Sequence, residues 1–274
     1  MKRARDHDTT TISAPSTTNA TLIEPTHPFA ADYNDSFETP ETAIRDILPA
    51  LTFIAADLRK PLSQLRVWDP FFCTGAVKSH FTRCGVPLLI HNHEDFYKVI
   101  SENRVPKYDV FVTNPPYSSD HKEKTLAFAA ASGKPYLLLL PAYVATKAWF
   151  VSSTLTAPPF FASPPRSSTY AFTHPEGTGK TAPPFTSLWV IGGMPAQRAS
   201  ILIGSWRQTC PSLLIVRDVA ALAEGALITS SRRKNPKQRR AEKARFASGG
   251  GGGGGGSAIA KSSLPISSTK KRRF

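Results

Sequence analysis

Cysteine is scarce in this chain: three in 274 residues, at Cys73, Cys84 and Cys210, with no paired spacing. An odd, scattered set excludes a disulfide framework and a cysteine-based zinc cluster. Long apolar runs are missing too. The longest, around residues 136–144, is interrupted by Pro141 and is too short to span a bilayer. The first residues, Met1 to Asp6, are polar and lack the apolar stretch of a secretory leader. These absences predict a soluble, intracellular protein with no membrane partner. Acid is also in short supply, with 20 Asp+Glu against 34 Lys+Arg and a net charge of +14. The deficit is local. Residues 231–274 hold 13 Lys+Arg and one acid, Glu242, a net of +12, which leaves +2 on the other 230 residues. Basicity is therefore a property of one end of the chain and points to an appendage for nucleic acid.

What is present is enough for one core of moderate size. The chain is 41% hydrophobic, with four Trp and 16 Phe. Residues 1–30 are rich in Thr, Ser, Ala and Pro without periodicity, which predicts a disordered tail. Residues 226–274 predict a second one. They carry eight consecutive glycines from Gly249 to Gly256, a Ser-rich stretch and the cluster Lys270-Lys271-Arg272-Arg273. Within that tail Arg232, Arg233, Lys234, Lys237, Arg239 and Arg240 are candidate phosphate contacts. The basic clusters also read as nuclear or nucleolar localisation signals, the cytoplasm being the alternative. Residues 31–225 remain as the folded domain.

That domain alternates. Helical patterns cover residues 42–58, 76–84, 95–102 and 121–132, the second and fourth ended by Gly85 and Gly133. Strand patterns cover residues 65–68, 87–91, 108–113 and 135–140. Short links between alternating helices and strands imply a mostly parallel α/β sheet. Residues 170–172 and 185–191 then read as two strands with no helix between them, a terminal antiparallel hairpin, and residues 213–216 as a further strand or cover.

At the carboxyl end of the 108–113 strand stands Asn114-Pro115-Pro116-Tyr117. Its residue types suit one kind of chemistry. An exocyclic amino or amide nitrogen is a poor nucleophile because its lone pair is delocalised. An Asn side-chain oxygen and the following Pro carbonyl can each accept one N–H, which draws the nitrogen toward tetrahedral geometry. Two prolines stiffen the turn and hold both acceptors in place beforehand. The Tyr ring offers a face on which an extruded planar group can stack.

Two more segments precede this turn. Asp69-Pro70-Phe71-Phe72-Cys73-Thr74-Gly75 follows the first strand and opens a helix, and Phe37-Glu38-Thr39-Pro40 leads into the first helix with Thr39 as a natural N-cap. In this order, a Thr-Pro segment, an Asp-Pro turn ending in Gly and an Asn-Pro-Pro-Tyr, the chain resembles S-adenosylmethionine-dependent amino-methyltransferases of the N6-adenine type. The resemblance spans residues 35–195 in outline and is specific at the three motifs. It implies a Rossmann-like methyltransferase fold and S-adenosyl-L-methionine as cofactor. Asn114, Pro115, Pro116 and Tyr117 would be catalytic. Phe37, Thr39, Pro40, Asp69, Pro70, Thr74 and Gly75 would bind the cofactor, with Glu94 or Asp95 on its adenosine. The family turn is Asp-Pro-x-x-Gly-x-Gly; here Cys73 stands at the first glycine, and one strand of the usual acidic region is shortened or merged.

Other patterns carry less. His91 and His93 alternate on a strand without a third ligand, so no metal is expected. Residues 176–181, Glu-Gly-Thr-Gly-Lys-Thr, lack the first glycine of a phosphate loop and precede a strand. No target-recognition domain follows the sheet, which favours RNA over DNA as partner. The sequence thus predicts methylation of adenine N6 in RNA. DNA adenine, protein glutamine N5 and an inactive nucleic-acid-binding relative are the alternatives.

Overall fold

The computed structural model describes residues 27–32, 35–165, 168–175 and 186–224. The chain divides after Thr229 into two units, and every described residue lies in the first. The six basic residues from Arg232 to Arg240 and the loop at residues 176–181 fall outside the described residues. Residues 27–30 do not: expected in the N-terminal tail, they pack against the folded unit.

Two helices stand where one is expected at residues 42–58. α1 (Glu41–Asp46) and α2 (Leu48–Asp57) meet at Ile47. Pro49 in the first turn of α2 has no N–H to continue the ladder, so the helix restarts there. Thr39 does not cap α1. Pro40 is the N-cap, without a side-chain bond, and the Thr39 carbonyl instead accepts from His80 Nδ1 at 3.1 Å.

The next elements follow the sequence pattern closely: β1 (Val67–Trp68), α3 (Val77–Arg83), β2 (Leu89–Ile90), α4 (Phe96–Ser101), β3 (Val110–Thr113), α5 (His121–Ala131) and β4 (Tyr136–Pro141). Then come α6 (Ala148–Thr154), β5 (Phe160–Ser163), β6 (Ser187–Gly192), α7 (Ala196–Thr209), β7 (Leu214–Val216) and α8 (Val219–Glu224). The seven strands form one sheet in the order β2-β1-β3-β4-β6-β5-β7. β1 to β4 pair in parallel; β6 enters antiparallel between β4 and β5, and β7 closes antiparallel on β5. Five strands thus share one direction, a mixed sheet consistent with a Rossmann-like fold. The expected hairpin is corrected: residues 170–172 form no strand, contributing only the neighbouring bridge Thr173 to Glu38, and the partner of β6 on that side is β5.

Both faces of the sheet are covered. Along β4, Leu137 and Leu139 join one core with α1, α2, α3 and α7. Tyr136, Leu138 and Leu140 join the other with residues of α4, α5, α6 and α8. Burial on both sides explains why β4 reads as an unbroken apolar run. At the amino ends of the strands Asp109 ties Lys60 (2.8 Å) and Arg66 (3.0 Å), so the carboxyl ends, where the loops carry chemistry, are left for a site.

Candidate functional site

The cleft lies at those carboxyl ends. It is lined by His27, Asp35, Phe37, Glu38, Thr39, Asp69, Phe71, Cys73, Val77 and Asn114 and measures about 280 Å³ including its open mouth. The turn after β1, the turn after β3 and the segment before α1 are far apart in sequence, and the parallel sheet brings them to one place. Phe37, Thr39, Asp69 and Asn114, all expected from the sequence, line it together.

The β1 turn is held by its own chain. Asp69 is 5% exposed. Its carboxylate accepts from Thr113 Oγ1 and from the Phe71 N–H at 3.3 Å. Its carbonyl accepts from His91 Nδ1 at 2.8 Å. Burial raises the Asp69 pKa, opposed by the nearby His91 and the Thr113 hydroxyl. Cys73, standing where the family pattern has glycine, takes a left-handed conformation with φ 50. That is the region a glycine favours, so the turn keeps the glycine-type path with a different residue. The Cys73 thiol donates to the Ser36 carbonyl at 3.1 Å, and burial, with Glu38 beside it, pushes its pKa up. Gly75 has φ +83, and a Cβ there would lie 2.7 Å from the Phe72 ring. The turn itself therefore favours glycine there. Glu38 completes the circuit: its Oε1 accepts from the Thr74 N–H at 2.8 Å and from the Thr74 hydroxyl.

The β3 turn is arranged differently. Pro115 and Pro116 are buried. Asn114 Oδ1 is shut off from solvent and has no hydrogen-bond partner. Tyr117 is anchored by its hydroxyl, which donates to the Leu139 carbonyl at 3.0 Å, and burial raises its pKa. The far side of the turn is gripped by two charged residues that the sequence did not single out. Asp35 Oδ1 accepts from the N–H groups of Tyr117 (2.7 Å) and Ser118 (2.9 Å), and Lys122 donates to the Tyr117 carbonyl. Lys122 is 7% exposed, and burial lowers its pKa. Their only sequence signal is proximity to the two motifs.

Glu94 and Asp95 stand apart from the cleft lining. Glu94 is exposed and paired with Arg104 at 2.9 Å. Asp95 caps α4, accepting from the Tyr97 and Lys98 N–H groups at 2.9 and 3.3 Å. Beside this cap lies an aromatic group that the sequence did not reveal: Phe71, Tyr97 and His121, with Phe29 seated among them.

No known protein-family model matches the chain, and no curated protein matches it in sequence. Among the described residues no group of three His, Cys, Asp or Glu is placed to hold a metal ion, and no helix is long and apolar enough to cross a membrane.

Proposed function

We propose that this chain is an S-adenosylmethionine-dependent methyltransferase acting on an exocyclic amino nitrogen, with adenine N6 of RNA as the leading substrate. The observation that carries the reading is Asn114 Oδ1: a buried acceptor with no partner, at the end of a central strand, in the cleft shared with Asp69, Thr39 and Cys73. Leaving such an atom unpaired costs about 1–3 kcal/mol. A native fold tolerates that at a place where a ligand brings the donor, and an amino N–H is the matching donor.

In this reading Asn114 Oδ1 takes one N–H of the target nitrogen and the Pro115 carbonyl takes the other, which frees the lone pair. Asp35 and Lys122 fix the Tyr117 peptide so that both acceptors keep their aim. The cofactor supplies an electrophilic methyl group when bound, and Phe37, Thr39, Pro40 and the turn from Asp69 to Gly75 would hold it. The glycine-type path through Cys73 and the antiparallel strands at one end of a parallel set both suit that assignment. A nucleic-acid acceptor is favoured by the basic composition of residues 231–274, and RNA over DNA by the lack of a separate target-recognition segment among the motifs.

Full-length protein is incubated with isotopically labelled donor and separate pools of total RNA, DNA and protein, then digested for mass spectrometry. Labelled N6-methyladenosine that disappears with Asn114→Ala is the expected result. Label in deoxyadenosine or glutamine would reassign the acceptor, and no label in any pool overturns the reading. A second reading, a nucleic-acid-binding protein without transfer activity, is favoured by one contact: the Glu38 carboxylate already occupies the Thr74 N–H in the β1 turn. Calorimetric titration with the donor separates the two.

A further inference from the structure

Residues 27–32 run beside the cleft as a strap, with His27 in the cleft lining and Phe29 against Phe71 of the same lining. Phe29 is set into the aromatic group, its ring 5.9 Å from Phe71, 5.4 Å from Tyr97 and 5.3 Å from His121. His27 stacks on Phe29 at 5.2 Å and is itself buried in the cleft wall. The strap is fastened at both ends of its own small circuit. His27 Nε2 donates to the Asp35 carbonyl at 3.2 Å, and the Asp32 N–H donates to Asp35 Oδ2 at 3.0 Å. Asp35 in turn holds the Tyr117 and Ser118 N–H groups, so the strap is latched to the β3 turn. The cleft under this arrangement measures about 280 Å³ with its mouth included. A nucleoside-sized ligand needs more room than the strapped cleft gives, since its enclosed part holds little more than a water-sized group.

The three rings around Phe29 belong to the β1 turn, the start of α4 and the start of α5, all at the carboxyl ends of the strands. Phe71, Tyr97 and His121 therefore form a receptor for one planar aromatic ring, and in this structure the ring is the chain's own. We propose that the strap is an intrasteric plug: Phe29 occupies the place of the planar base of a nucleoside ligand, and the strap must swing out before that ligand binds. The inference rests on the methyltransferase reading only for the identity of that nucleoside as the donor's adenosine. Occupation of the receptor by Phe29 lowers apparent affinity by the fraction of molecules with the strap open.

The test titrates full-length wild type, Phe29→Ala and His27→Ala with S-adenosylmethionine and, separately, with adenosine, after thermal melts establish that each variant is folded. Phe29 is only half buried and packs at the edge of the second core, so its removal takes no fully buried side chain from either core. The plug predicts at least tenfold tighter binding of both ligands to Phe29→Ala, and a smaller gain in the same direction for His27→Ala, which loosens the strap without emptying the receptor. Tighter adenosine with unchanged S-adenosylmethionine keeps the plug and removes the donor assignment. Unchanged or weaker binding of both ligands to folded Phe29→Ala overturns the plug, and wild-type affinity for S-adenosylmethionine then decides the methyltransferase reading separately. If Phe29→Ala fails to fold, the sign of the His27→Ala change decides.

Discussion

The two turns that wall the cleft end neighbouring parallel strands, yet they treat their polar groups in opposite ways. After β1 the described carboxylate, thiol and hydroxyl groups are engaged by the chain: Asp69 with Thr113 and Phe71, Cys73 with Ser36, Thr74 with Glu38. After β3 the turn is gripped from behind by Asp35 and Lys122 while Asn114 Oδ1 is left unsatisfied in front. The first turn spends its interactions on its own shape. The second is shaped by neighbours while one acceptor stays unpaired. Stability and function should therefore separate cleanly between them.

Asp69→Ala tests the closed side and should have the largest effect on folding. It strips partners from Thr113 and the Phe71 N–H inside the core and should cost about 3 kcal/mol, the scale of breaking a buried polar cluster. A chemical denaturation midpoint close to wild type would mean the circuit is not what holds the turn. Asn114→Ala should show the inverse pattern. Transfer should fall by about 10²-fold, close to 2.7 kcal/mol of barrier, as for other losses of one oriented polar group. The thermal midpoint should stay level or rise, because the unpaired acceptor is gone. Loss of stability at Asn114 matching that at Asp69 would erase the contrast between the turns.

Gly75→Val sharpens the closed side further. Positive φ and the Phe72 ring both oppose a branched side chain, so a destabilisation of about 2 kcal/mol is expected even without ligand. An unaltered melt with weakened donor binding would instead assign the glycine to the ligand alone. Tyr117→Phe probes the anchor of the open turn. It keeps the ring and deletes the bond to the Leu139 carbonyl, which predicts about 1 kcal/mol lower stability and a modest loss of rate. The pH response of the strap is the smallest effect. Burial holds the His27 pKa below its ordinary 6.5, against the Asp35 carbonyl and carboxylate, which raise it; His121 and His93 lower it further. The closed strap therefore prefers neutral His27. Its protection in hydrogen exchange should be full above pH 6.5 and fall a few-fold as the pH drops below it, while His27→Ala removes that dependence.

Much of the first half was legible because local signals agreed there. The segment from β1 to β4 combines apolar strands, short links and helices ended by Gly85 and Gly133, and its elements lie within a few residues of their expected bounds. Later elements failed for identifiable reasons. β5 is a four-residue strand between Pro158-Pro159 and Pro164-Pro165, which in sequence looks like a Pro-rich loop. α7 has no counterpart among the helices expected from the sequence, although Ala199, Leu202, Ile203 and Trp206, all buried, recur at helical spacing. Thr39 has an N-cap sequence, but the helix begins one residue later with Pro40 at the N-cap, and the Thr39 carbonyl accepts from His80.

The sequence by itself determined the alternation that yields a mixed α/β sheet, the breaks at Pro and Gly, the confinement of charge to one end, and the residue types at three motifs. These depend on backbone sterics and periodicity, which act over a few residues. Only the tertiary structure decided that β6 slots between β4 and β5, that Phe29 from the expected tail enters the ring of Phe71, Tyr97 and His121, and that Asp35 reaches the peptide of Tyr117, 82 positions away. Such contacts join groups with no local pattern linking them, and they form because the sheet carries distant turns to one edge, where each buried polar group must find a partner or wait for one.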